Sequence, residues 1–207
     1  MDATIIDAGV GNLGNLSRAL QSLGAEATIT DDPEAIRSGG CLLLPGVGAF
    51  RPPRETLRGE REAALNEALA AGAQLLGICV GFQLLFSAST EFGDTDGLGL
   101  LEGKVTPLPE SVELPHMGWN RLCEAREHPL LAGIEPGAYF YFVHSFAPSG
   151  VPAETAIGLC NHGREFAAVC GSGRVYGTQF HPEKSGTAGL TLLRNYLEIC
   201  HGPAAGD

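Results

Sequence analysis

Cys79 stands between two glycines in Gly77-Ile78-Cys79-Val80-Gly81, and His181 stands two residues before Glu183 in Gln179-Phe180-His181-Pro182-Glu183. A thiol, an imidazole and a carboxylate are a nucleophile, a base and an orienting group, the minimum set for acyl transfer. A nucleophile on a sharp strand-to-helix turn needs small neighbours, because the turn is strained and crowded, and the flanking glycines meet that need. The same turn sets Cys79 at the start of a helix, where free N–H groups and the helix dipole favour a thiolate. The plain alternative is a buried structural cysteine in an ordinary loop. Pro182 fixes one backbone angle and presets an extended turn, in which alternation brings His181 and Glu183 to the same side. There the carboxylate can hold the imidazole in one tautomer. Acyl transfer also needs oxyanion donors. The Val80 N–H is one candidate, and the backbone of Pro45-Gly46-Val47-Gly48 supplies another.

Those residues must be positioned by strands and helices. Thr4 to Asp7 read as a strand, and Leu13, Leu16, Leu20 and Leu23 recur at helical spacing before Gly24. Ala27 to Thr30 read as a strand, and Asp31-Asp32-Pro33 is a helix start. Cys41 to Leu44 form a short apolar strand ended by Pro45-Gly46. A helix is expected from Arg54 to Ala70, then a strand Gln74 to Ile78 and a helix from Val80. Apolar strands alternating with helices indicate a parallel sheet covered on both faces. In the second half, Gly137 to Val143, Thr155 to Asn161, Glu165 to Cys170 and Arg174 to Thr178 look extended. A last helix carries Leu190, Leu193 and Leu197. The sum is a mixed sheet, parallel first, with antiparallel additions. In open sheets of this kind, sites gather at the carboxyl ends of strands.

Composition narrows the function class. The net charge of −11 argues against nucleic acid or an anionic membrane as partner. No apolar run reaches roughly 18 residues, so no spanning helix is expected. The N-terminus lacks the basic flank and long apolar stretch of a signal peptide, which points to the cytoplasm. The six cysteines form no C-x-x-C pair, so no metal site is expected and reduced thiols are the simplest reading.

One rival comes from another class. Gly9-Val10-Gly11-Asn12-Leu13-Gly14 follows a strand and opens a helix, with Asp31 at the end of the next strand. That is the pattern of a dinucleotide-binding oxidoreductase. Such a role explains neither Cys79 nor His181 nor Glu183, and no substrate domain follows. A third reading is a tight turn that presents backbone and Asn side chains to a partner.

Further runs accompany the Cys79 and His181 segments: Asp7-Ala8-Gly9-Val10-Gly11-Asn12-Leu13, Pro45-Gly46-Val47-Gly48-Ala49-Phe50, Pro115-His116-Met117-Gly118-Trp119-Asn120, Tyr141-Phe142-Val143-His144-Ser145 and Thr178-Gln179-Phe180-His181-Pro182-Glu183-Lys184-Ser185. The Cys79 and His181 segments with the Pro45-Gly46 strand end resemble class I, triad-type glutamine amidotransferases. The whole set, in this order, resembles the glutaminase subunits of imidazole glycerol phosphate synthase, in histidine biosynthesis. The resemblance implies one amidotransferase domain over residues 1–207. Its fold would be a three-layer α/β/α sandwich with a central mixed, mostly parallel sheet, flavodoxin-like. It implies that Cys79 attacks the side-chain amide of glutamine, His181 shuttles the proton and Glu183 orients His181, with no cofactor. Val80 and Val47 would supply oxyanion N–H groups, Val47 after a peptide flip beside Gly48. Gln83 and Glu91 would hold the amino-acid end of glutamine, bordered by His144, Ser145 and Phe146. Ammonia would pass to a (β/α)₈-barrel cyclase subunit of a heterodimer, met by Asn12, Asn15, Trp119, Tyr141 and Lys184. The sequence departs from the family pattern at Ala8, Val80 and Phe82, where Tyr, Leu and Met are common. Phe82 is expected to add bulk near the glutamine pocket.

Overall fold

The computed structural model, which describes residues 1–202, opens on β1 (Asp2–Ile6), whose Ile5 and Ile6 are fully buried. Helix α1 (Leu13–Ser22) is capped by Asn12, which accepts from the Asn15 N–H, and it buries Leu16, Ala19 and Leu20. Strand β2 (Glu26–Thr30) is a half-exposed edge. Helix α2 (Pro33–Ser38) starts where the sequence predicts. Asp32 accepts from the Glu34 N–H, and Pro33 takes the first helical position, where no N–H is needed. Strands β3 (Cys41–Gly46) and β4 (Gln74–Cys79) are buried along almost their whole length.

Between them the structure corrects one expectation. The helix predicted over Arg54 to Ala70 is two helices, α3 (Arg51–Leu57) and α4 (Glu60–Ala70). Gly59 breaks it at φ +80°, a conformation glycine adopts without steric cost. Buried Arg54 spans the break with paired hydrogen bonds of 2.8 and 3.0 Å to Glu62. After Cys79 the helix α5 (Val80–Gln83) is a single turn.

Among the described residues ten strands and one α-helix follow: β5 (Ala88–Ser89), β6 (Thr95–Asp96), β7 (Lys104–Pro107), β8 (His116–Arg121), β9 (Glu124–Ala125), β10 (Tyr139–His144), β11 (Phe146–Ser149), β12 (Ala156–His162), β13 (Arg164–Ser172), β14 (Val175–Thr178) and α6 (Gly186–His201). The main sheet has the order β2-β1-β3-β4-β14-β13-β12-β9. It is parallel from β2 to β14 and antiparallel beyond. Strands β8 and β10 form a separate two-stranded ribbon, and β11, β7, β5 and β6 a small third sheet.

Chain direction assigns the helices to faces. The chain steps one way from β1 to β2 and the other way from β2 to β3 and from β3 to β4. Right-handed crossovers then put α1 on one face and α2 and α4 on the other. Packing agrees: α1 touches α6, and α2 touches α4. The chain is thus an α/β fold with a central mixed sheet flanked by helices. Among the described residues no helix is long and apolar enough to cross a membrane.

Candidate active site

Three parallel neighbours, β3, β4 and β14, end side by side. Gly46 pairs with Cys79, and Thr178 pairs with Ile78. The carboxyl end of β4 therefore carries Cys79, and the chain leaving β14 reaches His181 three residues after Thr178. A hundred residues of sequence separation collapse to one strand spacing.

Cys79 has φ +56°, which a side chain rarely tolerates. It is buried, and its thiol lies 3.8 Å from the Val143 carbonyl oxygen. The flanking glycines are required by close backbone approach. A Cβ on Gly81 would fall 1.7 Å from the Leu44 carbonyl oxygen, and one on Gly77 would fall 2.7 Å from the Phe82 Cα. The strained turn thus exists because β3 and α5 pass within backbone contact.

His181 Nδ1 and Glu183 Oε1 are 2.8 Å apart, both side chains almost wholly buried. The contact forms in a 3₁₀ turn, Pro182–Lys184, which corrects the extended turn expected there. His181 Nε2 and Glu183 Oε2 are buried with no hydrogen-bond partner. Burial opposes a charge on His181. The nearby Cys79 sulfur and the Glu183 carboxylate outweigh burial and raise the imidazole to about 10. With Nδ1 held by the carboxylate, Nε2 is the nitrogen left for the thiol. Other buried thiols lack such a partner: burial pushes both Cys160 and Cys170 up to about 12. All six cysteines are free, four of them buried, with Cys123 exposed and Cys200 half-buried.

The other expected residues fall into three groups. Val80 opens α5 one residue after the thiol, while Val47 and Gly48 follow the end of β3, Gly48 at φ +84°. Glu91 accepts from the Phe50 N–H at 2.6 Å, tying down the far end of the Pro45 to Phe50 segment. Gln83 is buried, and its amide nitrogen donates to the Phe146 carbonyl at 2.9 Å and to Gln179 Oε1 at 3.1 Å. His144 and Phe146 end β10 and begin β11, with half-buried Ser145 between them. In the third group, Lys184 lies 5.6 Å over the Tyr141 ring, which meets Trp119 edge-on at 6.0 Å. Asn15 lines a cleft of about 380 Å³ with Arg18, Glu183 and Gly186, and Asn12 stands exposed at the α1 cap.

Phe82 does not add bulk to a pocket as expected. Its ring is fully buried against Gly177 and edge-on to Phe86. A groove of about 720 Å³ along residues 122–140 carries none of the expected site residues.

Sequence reasoning missed two groups. Gln179 places its amide nitrogen 4.0 Å from the Cys79 sulfur, a role its place beside His181 could have suggested. On the ribbon, Met117 and Tyr139 are 63% and 55% exposed beside Trp119 at 56%. They share the outward face of β8 and β10, as strand alternation from Trp119 requires.

The dinucleotide pattern dissolves here. Its third glycine should allow close helix–strand packing, yet a Cβ on Gly14 would meet only the guanidinium of Arg18, at 3.6 Å. The Asp31 carboxylate, which a ribose would need, accepts from Arg61 at 2.7 Å.

Comparison with known proteins agrees with this geometry. The pattern of the family "Glutamine amidotransferase class-I" matches residues 4–199. The imidazole glycerol phosphate synthase subunit HisH of Symbiobacterium thermophilum is 46% identical over 193 residues, 93% of this chain and 91% of that one. The subunit of the same name from Geobacillus sp. is 45% identical over 205 residues, 96% and 97% of the two chains. A crystal structure of a glutamine amidotransferase superposes with TM-score 0.75 at 20% identity, over 96% of this chain and 98% of that one. The structure of PurLQS from Thermotoga maritima gives 0.71 at 20% identity, over 96% and 98%. At that identity the likeness speaks for the fold alone. The chain belongs to the class I glutamine amidotransferase family, alongside the HisH subunits of imidazole glycerol phosphate synthase.

Proposed function

We propose that the chain, as one amidotransferase domain, is the glutaminase subunit of a cytoplasmic imidazole glycerol phosphate synthase. The observation that carries this is Cys79 at positive φ on the end of β4, with the buried His181–Glu183 pair leaving the adjacent parallel strand. The relatives' names supply the synthase.

In this reading Cys79, its proton passed to His181, attacks the side-chain amide carbon of glutamine, and the C–N bond breaks to a glutamyl thioester. His181 gives its proton to the departing nitrogen, which leaves as ammonia. It then takes a proton from water, which attacks the thioester and frees glutamate. Glu183 holds Nδ1 and so keeps Nε2 aimed at the reacting atoms. The oxyanion is met by the N–H of Val80 and, after a turn of the peptide between Gly46 and Gly48, by that of Val47. Gln83 and Glu91 hold the amino-acid end of the substrate, beside His144, Ser145 and Phe146. Glu91's bond to the Phe50 N–H links that end to the segment that must turn.

Ammonia passes to a (β/α)₈-barrel cyclase subunit, which makes imidazole glycerol phosphate and an aminoimidazole carboxamide ribotide. The exposed aromatic face of the ribbon, with Asn12, Asn15 and Lys184, supports docking of that partner. Isolated, the chain is nearly inactive, and nucleotide on the partner switches it on by biasing the turning peptide.

The test is glutamate release from glutamine by the purified chain, with and without the cyclase and its nucleotide ligand. Activity only in the complex, abolished by Cys79→Ala with partner binding intact, is expected. Equal activity without the cyclase would replace this reading by a free-standing amide hydrolase.

A further inference from the structure

The inner face of the β8–β10 ribbon carries a chain of side chains that ends beside the thiol. Asn120 Nδ2 donates to the Asn161 carbonyl at 3.1 Å and lies 3.1 Å from His116 Nε2. His116 Nδ1 is 2.9 Å from His144 Nε2, and His144 Nδ1 is 2.8 Å from the Phe146 carbonyl oxygen. The Arg121 N–H donates to Asn120 Oδ1 at 2.8 Å, which fixes the orientation of that amide.

Proton counting fixes the rest. Both ends of the chain are carbonyl oxygens, which only accept. Four links join them, and the Asn120 amide with two neutral imidazoles brings four hydrogens. His144 must therefore donate from Nδ1, His116 must donate from Nδ1 to His144, and Asn120 must donate to His116. A fifth proton would set two N–H groups against each other, 2.9 Å apart if it sat on His144 and 3.1 Å apart if it sat on His116. Burial holds both rings neutral, His144 at about 3 and His116 at about 4, with His162 stacked on the latter.

The chain continues past Phe146. Its carbonyl also accepts from Gln83 Nε2 at 2.9 Å, Gln83 donates to Gln179 Oε1 at 3.1 Å, and the Gln179 amide nitrogen reaches the Cys79 sulfur at 4.0 Å. We propose that His116 is a positioning residue for glutamine: its Nδ1–H orients His144, which fixes the Phe146 carbonyl and, through it, Gln83 and Gln179 beside Cys79. The outward face of the same strand bears Trp119, so one element joins the proposed partner face to the substrate's seat. This inference rests on the glutaminase reading above.

The experiment uses the complex with its partner and measures glutamate release for wild type, His116→Phe, His116→Asn and His116→Asp. Phe keeps the ring stacked between Phe142 and His162 but donates nothing. Asn returns a donor near Nδ1, and Asp puts an acceptor in the same place. The geometry requires KM for glutamine to rise about tenfold in the Phe and Asp variants, the worth of one buried hydrogen bond. Their kcat should stay within about threefold, because lost ground-state binding moves KM alone. Asn should recover most of the loss. Equal KM in all four proteins, or equal rises for Asn and Asp, would overturn the proposal. A wild-type complex that releases no glutamate would sink the glutaminase reading instead. The relay is then decided by ¹⁵N NMR of the imidazoles. Both His116 and His144 should be Nδ1–H tautomers at neutral pH, and an Nε2–H tautomer at either would refute it.

Discussion

Among the buried cysteines, Cys79 is set apart by what surrounds it. Cys160 and Cys170 sit in the core with thiols pushed up by burial, whereas Cys79 shares its site with an imidazole whose other nitrogen is held by a carboxylate. The Cys79 sulfur and Glu183 together hold that imidazole above the ordinary histidine range against burial, and the sulfur contributes more than Glu183. Removing either must therefore lower the point at which His181 loses its proton. In wild type the His181 signal in an NMR titration should move near pH 10. In Cys79→Ala it should move at distinctly lower pH, and in Glu183→Gln by a smaller amount. A midpoint unchanged in Cys79→Ala would mean that the sulfur does not hold the proton on His181. The residue types of this site were legible in the sequence, because a thiol between glycines and a histidine two residues from a glutamate are unusual in themselves. What the sequence hid was the local geometry. Pro182 was expected to hold the chain extended, but proline's φ equally suits a helical turn, and the 3₁₀ turn is what brings Glu183 onto Nδ1.

Elements with a short apolar run or a helical stripe of leucines could be read from their residues: β1, β3 and β4 are nearly where the pattern puts them, as are α1 and α6. Those that escaped lack such a run. Strand β8 reads His-Met-Gly-Trp-Asn-Arg, β7 and β11 each contain a proline, and β5, β6 and β9 are two residues long. The break between α3 and α4 escaped because one glycine in a charged helix is only a mild signal. Two glycines show how differently such residues act. Gly81 is where α5 presses on β3, so a Cβ there collides with the Leu44 carbonyl. Gly81→Ala should cost about 3 kcal/mol or more, since the obstacle is backbone and cannot yield. Gly14 lies exposed in α1 with only a flexible arginine nearby, and Gly14→Ala should gain about 0.5–1 kcal/mol from helix propensity. Urea unfolding at constant m-value measures both. Gly81→Ala folding as stably as wild type would contradict the close passage of α5 over β3.

At the scale of the whole molecule, the sheet order was beyond the sequence, because the parallel and antiparallel halves join through β14, the last strand among the described residues, inserted beside β4. That insertion makes the site, and the fold also buries three histidines whose charge states oppose one another. His116 and His144 are 5% and 6% exposed and held neutral, well below the ordinary histidine range. Unfolding lets each take up a proton once the pH falls below about 6.5, so stability drops as pH falls from there toward 4. His181 is held charged, so its contribution is complete below about 6.5 and is lost as pH rises toward 10. The acid limb can be isolated between pH 6.5 and 5, above the range where most carboxylates titrate. There each neutral histidine should cost about 1.6 kcal/mol, because the slope of about 1.36 kcal/mol per pH unit is only half developed at pH 6.5, where the unfolded histidine is half protonated. Unfolding free energies from urea titrations at pH 5 and 6.5 should therefore differ by about 3 kcal/mol in wild type. In His116→Asn the difference should shrink by about half, because one proton-accepting site has been removed from the unfolded chain while His144 keeps its donor. A difference that does not shrink would mean that His116 already carries a proton in the folded protein at pH 5, and the four-hydrogen chain across the ribbon would then be wrong as well.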